Sequence, residues 1–405
     1  MDRETPGIDR ACADIGPAQC PANRIVVGLS GGVDSAVALM LLKREHPRIE
    51  ALFMKNWEED DDAEYCSASQ DLADAERICA HLDVPLRTVN FSYEYWQDVF
   101  AHFLAEHRRG RTPNPDLLCN KEIKFKAFHE YAQDLGFDTV ATGHYARLGY
   151  EDGEYRLLKG ADPAKDQSYF LALLDQTQLA RACFPIGHLR KQALRDLARA
   201  HALPVHDKRD STGICFIGER PFRDFLARYM RKTPGPIRNV DDDCQVGEHI
   251  GLPYYTIGQR QGLGIGGRAA GSGLPWYVVD KRQADNTLLV AQGGDHPALL
   301  DDVLVASRPH WIASRAPTLP LRCSARIRYR QPDQACVVEH LQDSNENSDE
   351  SAALRVRFDR PQRAITPGQA VVFYQGDTCL GAATIEQAGA RAAESIRPAM
   401  AARPA

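Results

Sequence analysis

The sequence predicts an α/β protein in which a parallel-sheet domain is followed by a small glycine-rich domain and an antiparallel β-barrel. Between residues 24 and 142, apolar strand patterns alternate with helical periods, which is typical of a parallel sheet covered by helices. Residues 247–273 hold nine glycines, which indicates a small, flexible domain. From about residue 275, short alternating strands separated by Gly, Pro and Asp turns indicate an antiparallel barrel or sandwich.

The elements of the first domain follow from their apolar periodicity. Apolar runs predict strands at 24–29, 50–54, 86–91 and 139–142. Helical spacing predicts helices at 35–45, 69–81, 93–107 and 121–135. Ligands of parallel sheets bind beyond the carboxyl ends of the strands. We therefore expect the segments that follow the first, second and fourth strands to line one crevice.

Composition excludes several classes of protein. The chain has 405 residues, 43% hydrophobic and 26% charged, and a net charge of −6, so any nucleic-acid contact must come from local basic patches. The longest apolar run, 36–42, is far shorter than the roughly 20 residues of a membrane span. The first twenty residues are too charged for a signal peptide. Eleven scattered cysteines without a Cys-x-x-Cys pair predict a cytoplasmic, reducing compartment and no metal site.

A serine- and glycine-rich turn follows the first strand and precedes the first helix. In such a turn, backbone N–H groups converge on an anion and the helix presents its positive end to it. No lysine lies in the turn, so it is not a Walker A loop, and its polarity argues against a purely structural βα turn. The predicted phosphate-binding residues are Gly28, Leu29, Ser30, Gly31, Gly32, Val33, Asp34 and Ser35.

Three further polar segments are candidates for chemistry: 112–121, 165–169 and 210–218. Cys119 lies in the first segment, near three lysines that would favour its thiolate form. Cys215 lies in a Ser/Thr/Gly turn of the last segment, after Lys208 and Arg209. Both cysteines are predicted to lie in polar loops beside cations. Cys79, Cys183 and Cys323 fall in apolar patterns and are predicted to be core residues.

Six motifs in collinear order from about residue 24 to residue 387 resemble those of the bacterial tRNA-specific 2-thiouridylases. That family belongs to the PP-loop ATP-pyrophosphatases, which cut ATP to AMP and pyrophosphate. The first 23 residues, the acidic segment 340–352 and the C-terminal tail depart from the family pattern without touching a motif. The motifs are G-L-S-G-G-V-D-S, T-P-N-P-D-L-L-C-N-K-E-I-K-F, A-T-G-H-Y-A-R, K-D-Q-S-Y-F-L, S-T-G-I-C-F-I-G and T-I-G-Q-R-Q-G-L-G-I.

The resemblance implies insertion of sulfur at C2 of the wobble uridine, U34, of tRNA. Transfer of AMP to the C2 oxygen turns a poor leaving group into a good one, and a sulfur nucleophile then attacks C2. The implied cofactors are ATP with Mg²⁺ and a persulfide sulfur on Cys215. Cys119 would release that sulfur, either by attacking the persulfide or by closing a disulfide afterwards. The implied partners are tRNA and a sulfur-donor protein, with no membrane contact.

The resemblance also implies roles for individual residues. ATP would be held by the turn from Gly28 to Ser35, with Met54 and Gly143 near the adenosine. The residues that would contact the target base are Asn114, Pro115 and Asp116. The residues that would contact tRNA are His144, Lys165, Asp166, Gln167, Arg328, Tyr329 and Gln369.

The domain boundaries are predicted from changes in composition. The stretch from Gly262 to Gly267 is not a dinucleotide fingerprint, because it lacks a preceding strand and a following helix. Residues 340–352 are expected to form a mobile hairpin loop. The predicted segments are a disordered extension (1–23), the PP-loop catalytic domain (24–218), a small central domain (219–290), a tRNA-contacting barrel (291–388) and a flexible tail (389–405).

A basic strand face is predicted in the barrel. Between residues 321 and 330, alternation places Arg322, Arg326, Arg328 and Arg330 on one face. A second Arg-x-Arg occurs at 355–357. In an acidic protein, aligned arginines favour contact with phosphates over a merely solvated surface.

Three alternative functions remain open at this point. A PP-loop amide ligase would adenylate a carboxylate and would not need the two loop cysteines. A non-catalytic tRNA-binding protein would keep a decayed ATP site, which the intact Ser-Gly-Gly-x-Asp-Ser argues against. In a variant of the thiolation mechanism, Asp116, Cys119 and Cys215 would hold an iron–sulfur cluster instead of passing a persulfide.

Overall fold

The structure is a computed structural model that describes residues 24–46, 48–58, 67–210, 222–266, 273–341 and 353–389. The predicted N-terminal extension, residues 342–352 of the acidic segment and nearly all of the tail lie outside the described residues. Within the described ranges, no helix is both long enough and apolar enough to cross a membrane.

A five-stranded sheet forms the first domain, and all its neighbouring strands are parallel. The strand order is β3-β2-β1-β4-β7, so the direction of winding changes between β1 and β4. Crevices at such a switch point are the usual ligand sites of open parallel sheets. The strands are β1 (Ile25–Gly28), β2 (Glu50–Lys55), β3 (Leu86–Asn90), β4 (Thr139–Thr142) and β7 (Ala182–Cys183).

Helices cover this sheet at the predicted places, with one clear difference. The helix predicted at 121–135 begins at Pro115, because the Asn114 side chain caps it and proline suits the first helical position. The helices are α1 (Val33–Glu45), α2 (Ser67–Leu82), α3 (Ser92–Tyr95), a π-helical turn (Trp96–Phe100), α4 (Ala101–Arg108), α5 (Pro115–Leu118), a π-helical segment (Cys119–Ala127), α6 (Phe128–Asp134), α7 (Gln176–Leu179), α8 (Lys191–Ala200) and α9 (Phe222–Ala227).

A second, smaller sheet forms the central domain. Its strand order is β10-β11-β8-β9, with β11 and β8 parallel and the other pairs antiparallel. Its apolar residues join the core on one side of the first-domain sheet, where Ile237 and Val290 share a cluster with Val26 and Leu52. The strands are β8 (Gly235–Asn239), β9 (Gln245–His249), β10 (Trp276–Arg282) and β11 (Thr287–Gln292).

The C-terminal domain is a closed antiparallel barrel, because its first and last strands pair with each other. A hairpin of the first domain, β5 (Ala146–Glu151) and β6 (Glu154–Lys159), extends this sheet by pairing with β17. These architectures confirm the predicted fold class. The barrel strands are β12 (Leu300–Trp311), β13 (Leu321–Arg326), β14 (Gln334–His340), β15 (Leu354–Arg363), β16 (Ala370–Gln375) and β17 (Thr378–Ala388).

Candidate active site

The turn between β1 and α1 is organised around the Ser35 hydroxyl. This hydroxyl donates to the Gly32 carbonyl oxygen at 3.1 Å and accepts from the Ser30 backbone N–H at 3.2 Å. Gly31 has a φ of 73°, and a Cβ there would lie 2.3 Å from the Asp71 carbonyl oxygen, so only glycine fits. The first N–H groups of α1 open into this turn, as in other anion-binding helix starts. The geometry therefore suits a phosphate.

Asp34 is held in an ion-pair network that the sequence reasoning missed. The Tyr145 hydroxyl donates to its Oδ1 at 2.8 Å, and Lys191 Nζ lies 2.7 and 2.9 Å from its two oxygens. Lys191 Nζ also lies 2.7 Å from Asp210 Oδ1. One lysine thus joins the carboxylate of the phosphate-binding turn to the start of the segment that carries Cys215.

Two further cations hold Asp210. Lys165 lies 2.6 Å from one carboxylate oxygen, and Arg195 lies 2.9 Å from the other. Burial raises the pKa of Asp210, but the hydrogen bonds from Lys165 and Lys191 outweigh it and lower the pKa to about 2. Asp210 is therefore an anchored carboxylate at neutral pH. No local sequence pattern predicts that Lys191 and Arg195 belong to this site, because their partners lie far away in sequence or in an irregular segment.

Lys208 supports the turn from the other side. Its Nζ donates to the Gly31 carbonyl oxygen at 3.1 Å and lies 2.7 Å from Asp71 and 2.6 Å from Asp74. Burial raises the pKa of Asp74, and the hydrogen bonds from Lys208 and Arg77 reverse this, so the pKa is lowered. The turn is thus tied to α2 through a lysine and two carboxylates.

The carboxyl ends of β2 and β4 flank the turn. Gly28 is in register with Leu52 on one side and Thr142 on the other. Met54, near the end of β2, and Gly143, just after β4, therefore lie on the two sides of β1 at this edge. A Cβ on Gly143 would lie 2.7 Å from the Ser35 backbone nitrogen, which shows how closely the β4 loop approaches α1. The predicted ATP residues therefore lie at one edge of the sheet.

Asn56, just beyond β2, is a candidate that the sequence reasoning missed. Its side chain is only 2% exposed. Neither its amide nitrogen nor its amide oxygen has a hydrogen-bond partner in the described part of the chain. A buried amide without hydrogen-bond partners requires an explanation, and a bound ligand that supplies the missing hydrogen bonds is one such explanation.

The prediction that Cys119 lies in a polar loop is wrong. The Asn114 side chain accepts a hydrogen bond from the Asp116 backbone N–H at 3.1 Å, which starts helix α5, and Cys119 begins the π-helical continuation. Its side chain is 1% exposed and belongs to the core that contains Val26. The helical turn directs the nearby lysines to more exposed faces and the thiol inward. π-Helical segments are frequent at functional sites.

Cys215 lies outside the described residues, as does the rest of its motif from residue 211 onward. Asp210 is the described residue that precedes this segment, and it lies beside the phosphate-binding turn through Lys191. Cys79 and Cys183 are buried, as predicted, and burial raises the pKa of the Cys79 thiol to about 11. Cys323 is only partly buried, at the side of the barrel core.

His144, which the resemblance places toward tRNA, is buried in this structure. Its ring is 8% exposed, lies near the rings of Phe125 and Phe184, and has Nδ1 2.7 Å from the Thr142 hydroxyl. Burial holds the pKa of His144 well below its ordinary value. The imidazole is therefore neutral at pH 7 and does not attract phosphates by charge.

The Lys165–Gln167 segment is also engaged internally. Asp166 is buried, accepts hydrogen bonds from the Gly160 and Ser168 backbone N–H groups at 3.0 and 3.1 Å, and pairs with Arg326 at 2.7 Å. The Gln167 side-chain oxygen accepts from the Tyr145 backbone N–H at 2.9 Å. In this state the segment is a structural bridge between the first domain and the barrel.

The predicted arginine face of the barrel is wrong in two respects. β13 ends at Arg326, so the strand alternation does not extend to residues 328 and 330. Arg322 forms a bidentate pair with Asp359, and Arg326, whose side chain is 12% exposed, lies between Asp166 and Asp333. Carboxylates from other elements neutralise these two arginines. In the second Arg-x-Arg, Arg357 pairs with Glu339 at 3.4 Å.

The other predicted tRNA residues of the barrel lie at its contact with the neighbouring domains. Arg328 donates to the Ala364 carbonyl oxygen, and the Tyr329 ring centre lies 4.4 Å from that of Phe170. Gln369 donates its amide to the Thr112 carbonyl oxygen at 2.6 Å. Gln369 thereby holds the start of the segment that contains Asn114 and Asp116.

Three known protein families match consecutive parts of the chain. Residues 23–219 match the tRNA methyl transferase HUP domain, residues 223–292 the tRNA methyl transferase PRC-barrel domain, and residues 301–385 the aminomethyltransferase beta-barrel domain. With the parallel sheet and its serine–glycine turn, these matches define the class: a PP-loop nucleotide-binding protein built on a HUP domain.

Relatives that match along most of their length specify the family. The tRNA-specific 2-thiouridylase MnmA of Methylococcus capsulatus is 57% identical over 364 residues, 89% of this chain and 96% of the relative. The protein of the same name from Pectobacterium carotovorum is 54% identical over 365 residues, 90% of this chain and 97% of the relative. The chain belongs to the tRNA-specific 2-thiouridylase family.

Among solved structures, the U34-tRNA thiolase NcsA from Methanococcus maripaludis with its 4Fe-4S cluster is 14% identical, with a TM-score of 0.33. The match covers 54% of this chain and 68% of that one. A likeness at this level carries no argument about mechanism.

Proposed function

We propose that this protein thiolates C2 of the wobble uridine, U34, of tRNA in an ATP-dependent reaction with two chemical steps. The observation that carries this conclusion is the 57% identity to a tRNA-specific 2-thiouridylase over 89% of the chain. Family membership supports tRNA as the substrate and ATP as the activating nucleotide. The reaction steps and the residue roles that follow are proposals.

In the first step, the C2 oxygen attacks the α-phosphorus of ATP, pyrophosphate leaves and an adenylated base forms. The turn from Gly28 to Ser35 would bind the phosphates, with Met54 and Gly143 beside the adenosine. The Asp34 carboxylate is a suitable oxygen ligand for Mg²⁺, which typically takes one or two carboxylates together with phosphates. In this state Lys191 neutralises Asp34, so a bound Mg²⁺ would replace that lysine as the partner of the carboxylate.

In the second step, the terminal sulfur of a Cys215 persulfide attacks C2, and AMP leaves with the original oxygen. The Cys119 thiolate then attacks the inner sulfur of Cys215. The sulfur–sulfur bond of the persulfide breaks, its electron pair leaves the sulfur on C2, and a Cys119–Cys215 disulfide forms. A thiol reductant and a sulfur-donor protein would restore the persulfide. If Cys119 acts earlier, by attacking the persulfide before C2 is reached, free sulfide would be the nucleophile.

The contact between Lys191, Asp34 and Asp210 supports the role of Cys215. Asp210 precedes Cys215 by five residues, and an extended chain spans at most about 3.6 Å per residue, so covalent geometry limits their Cα atoms to a separation of about 18 Å. Asp210 and Asp34 share Lys191, so the segment that carries Cys215 starts beside the phosphate-binding turn, which supports the proposed role of Cys215.

The proposed tRNA contacts require a change from the state described here. The target base must leave the anticodon stack to meet Asn114, Pro115 and Asp116. Cys119 is buried, so access to it must open on tRNA binding. The remaining contacts would come from residues that now bind one another or other parts of the chain: His144, Lys165, Asp166, Gln167, Arg328, Tyr329 and Gln369. We place the reaction in the cytoplasm, where tRNA and reduced cysteines occur together.

Chromatography of the products of labelled ATP, with and without tRNA, tests this function. We expect tRNA-dependent AMP and pyrophosphate, loss of both in Asp34→Ala, and normal turnover in Asp196→Ala, which changes an exposed carboxylate on α8. ADP as the main product, or AMP formation that needs ammonia and a carboxylate instead of tRNA, would overturn the proposal. An iron assay after anaerobic purification distinguishes a persulfide from an iron–sulfur cluster.

A further inference from the structure

Two cysteines face each other in the barrel, away from the phosphate-binding turn. Cys323 on β13 and Cys336 on β14 are direct partners in the antiparallel register, so both side chains lie on the same face of the sheet. Their sulfur atoms are 3.8 Å apart. Directly opposed residues of antiparallel strands have Cα atoms about 4.5–5.5 Å apart, which lies within the roughly 4.4–6.8 Å of disulfides.

The two thiols are not equivalent. Cys323 is partly exposed, whereas Cys336 is fully buried in the barrel core with Val338 and Phe358. The hydrogen bond from Cys336 lowers the pKa of Cys323, against the effect of burial, and the charge of Arg322 adds to the lowering. The same hydrogen bond and burial raise the pKa of Cys336. Cys323 is thus the accessible thiol that ionises first, and Cys336 is placed to follow it.

We propose that Cys323 and Cys336 form a thiol–disulfide exchange site in the barrel that reacts with low-molecular-weight disulfides. The pair would close reversibly into a Cys323–Cys336 disulfide. Neither cysteine belongs to the proposed thiolation chemistry, so the inference stands independently of the proposed function.

The exchange needs only a small disulfide as oxidant. The Cys323 thiolate attacks one sulfur of the disulfide, which forms a mixed disulfide and releases one small thiolate. Cys336 then loses its proton to solvent, its thiolate attacks Cys323, and the second small thiolate leaves. Two protein thiols are oxidised to one disulfide, and the small disulfide is reduced to two thiols. A dithiol reductant reverses both steps.

Incubation of the full-length protein with oxidised glutathione, followed by alkylation, trypsin digestion and mass spectrometry, tests the proposal. Cleavage after arginine separates Cys323 in peptide 323–326 from Cys336 in peptide 331–355. We expect these two peptides to be linked, and dithiothreitol to separate them. We also expect Cys323→Ser to lose the link, while Cys79→Ser keeps it.

Two results would overturn the proposal: both cysteines fully alkylated at a glutathione ratio that oxidises other thiols of the chain, or stable glutathione adducts on Cys323 without linkage. A second measurement guards against a folding defect in Cys323→Ser. In the unmodified protein without oxidant, Cys323 should react with iodoacetamide at least ten times faster than the buried Cys79. Equal rates would contradict the role of Cys323 as the attacking thiol.

Discussion

The buried amide of Asn56 is a single-residue feature with a cost in stability. Its amide is buried at the carboxyl end of β2 and has no hydrogen-bond partner among the described residues. A buried polar group left without a partner costs about 1–3 kcal/mol of stability. A cost of this size at the edge of the nucleotide crevice is understandable if a ligand supplies the missing hydrogen bonds.

We therefore expect Asn56→Leu to raise the free energy of unfolding by about 1–3 kcal/mol while it weakens ATP binding. Denaturant unfolding measures the first effect and calorimetric titration with ATP measures the second. Glu76→Gln, at an exposed position of α2, serves as a surface control that should change neither quantity by much. If Asn56→Leu destabilises the protein and binds ATP normally, the amide has a structural partner and not a ligand.

At the residue scale, local pattern predicted the phosphate-binding turn but not its charge environment. Gly31 and Ser35 are recognisable because the turn and helix start are contiguous in sequence. The lysine that neutralises Asp34 is 157 residues away, and nothing near Lys191 reveals that contact. The prediction that Cys119 lies in a polar loop was wrong for a related reason. Lysines that are close in sequence do not show whether a thiol on a helix faces the solvent or the core. The motif resemblance identified these residues, while their contacts required the fold.

At the scale of secondary-structure elements, β13 joins two kinds of ion pair that should differ in strength. The side chain of Arg326 is 12% exposed and pairs with the buried Asp166, which is 2% exposed. The side chain of Arg322, by contrast, is 60% exposed and pairs with Asp359. Breaking a buried pair leaves an uncompensated charge and costs about 3–5 kcal/mol. An exposed pair contributes at most about 1 kcal/mol.

Arg326→Gln should accordingly lower the free energy of unfolding by about 3–5 kcal/mol, and Arg322→Gln by less than about 1 kcal/mol. Urea unfolding of both variants provides the comparison. Because Arg326 is already paired, we expect no direct change in the salt dependence of tRNA binding from its charge. Equal, small losses in both variants would show that the Asp166–Arg326 bridge does not hold the barrel to the first domain.

Helix α4 meets the central domain through His107. Its Nδ1–H donates to the Pro253 carbonyl oxygen at 3.2 Å, and the ring packs against Phe103. Burial, with the nearby charge of Lys281, lowers the pKa of His107 from 6.5 to about 4. Between these values the unfolded chain binds a proton that the folded chain does not, so stability falls as the pH drops.

As the pH falls from about 6.5 to 4, we expect the titration of His107 to lower the free energy of unfolding by about 1.4 kcal/mol for each pH unit. Urea unfolding at pH 6.0 and 5.0, both inside this window, measures the slope. His107→Gln retains a hydrogen-bond donor without a titrating group, so its slope should be shallower by that amount. Identical slopes for the two proteins would mean that His107 is protonated in the folded state.

The elements themselves were predicted well where apolar periodicity is strong and poorly where pairing is distant. β1, β2 and β4 lie within two residues of their predicted bounds. The β5–β6 hairpin was missed, because its place is set by pairing with β17, more than two hundred residues away. The prediction of an arginine face on the barrel was wrong, because alternation does not show where a strand ends or which carboxylates the neighbouring elements supply.

For the whole molecule, the barrel acts as a support for the site. Gln369 holds Thr112, Arg326 holds Asp166, and Arg111 is bound by Glu386 of β17. These contacts hold two segments of the first domain against the barrel. One is the segment at Arg111 and Thr112, which precedes Cys119, and the other is the segment at Asp166, between β6 and α7. A barrel that moved on tRNA binding would therefore shift both segments together.

The central claim is that two cysteines pass a persulfide sulfur to an adenylated uridine. Nucleoside mass spectrometry of tRNA incubated with ATP and a sulfide-free persulfide supply tests it most directly. We expect 2-thiouridine from the wild type and Cys79→Ser, none from Cys119→Ser or Cys215→Ser, and retained ATP and tRNA binding in all four proteins. Adenylated tRNA should accumulate with Cys215→Ser. Thiolation at near wild-type rates by both Cys119→Ser and Cys215→Ser would contradict the account.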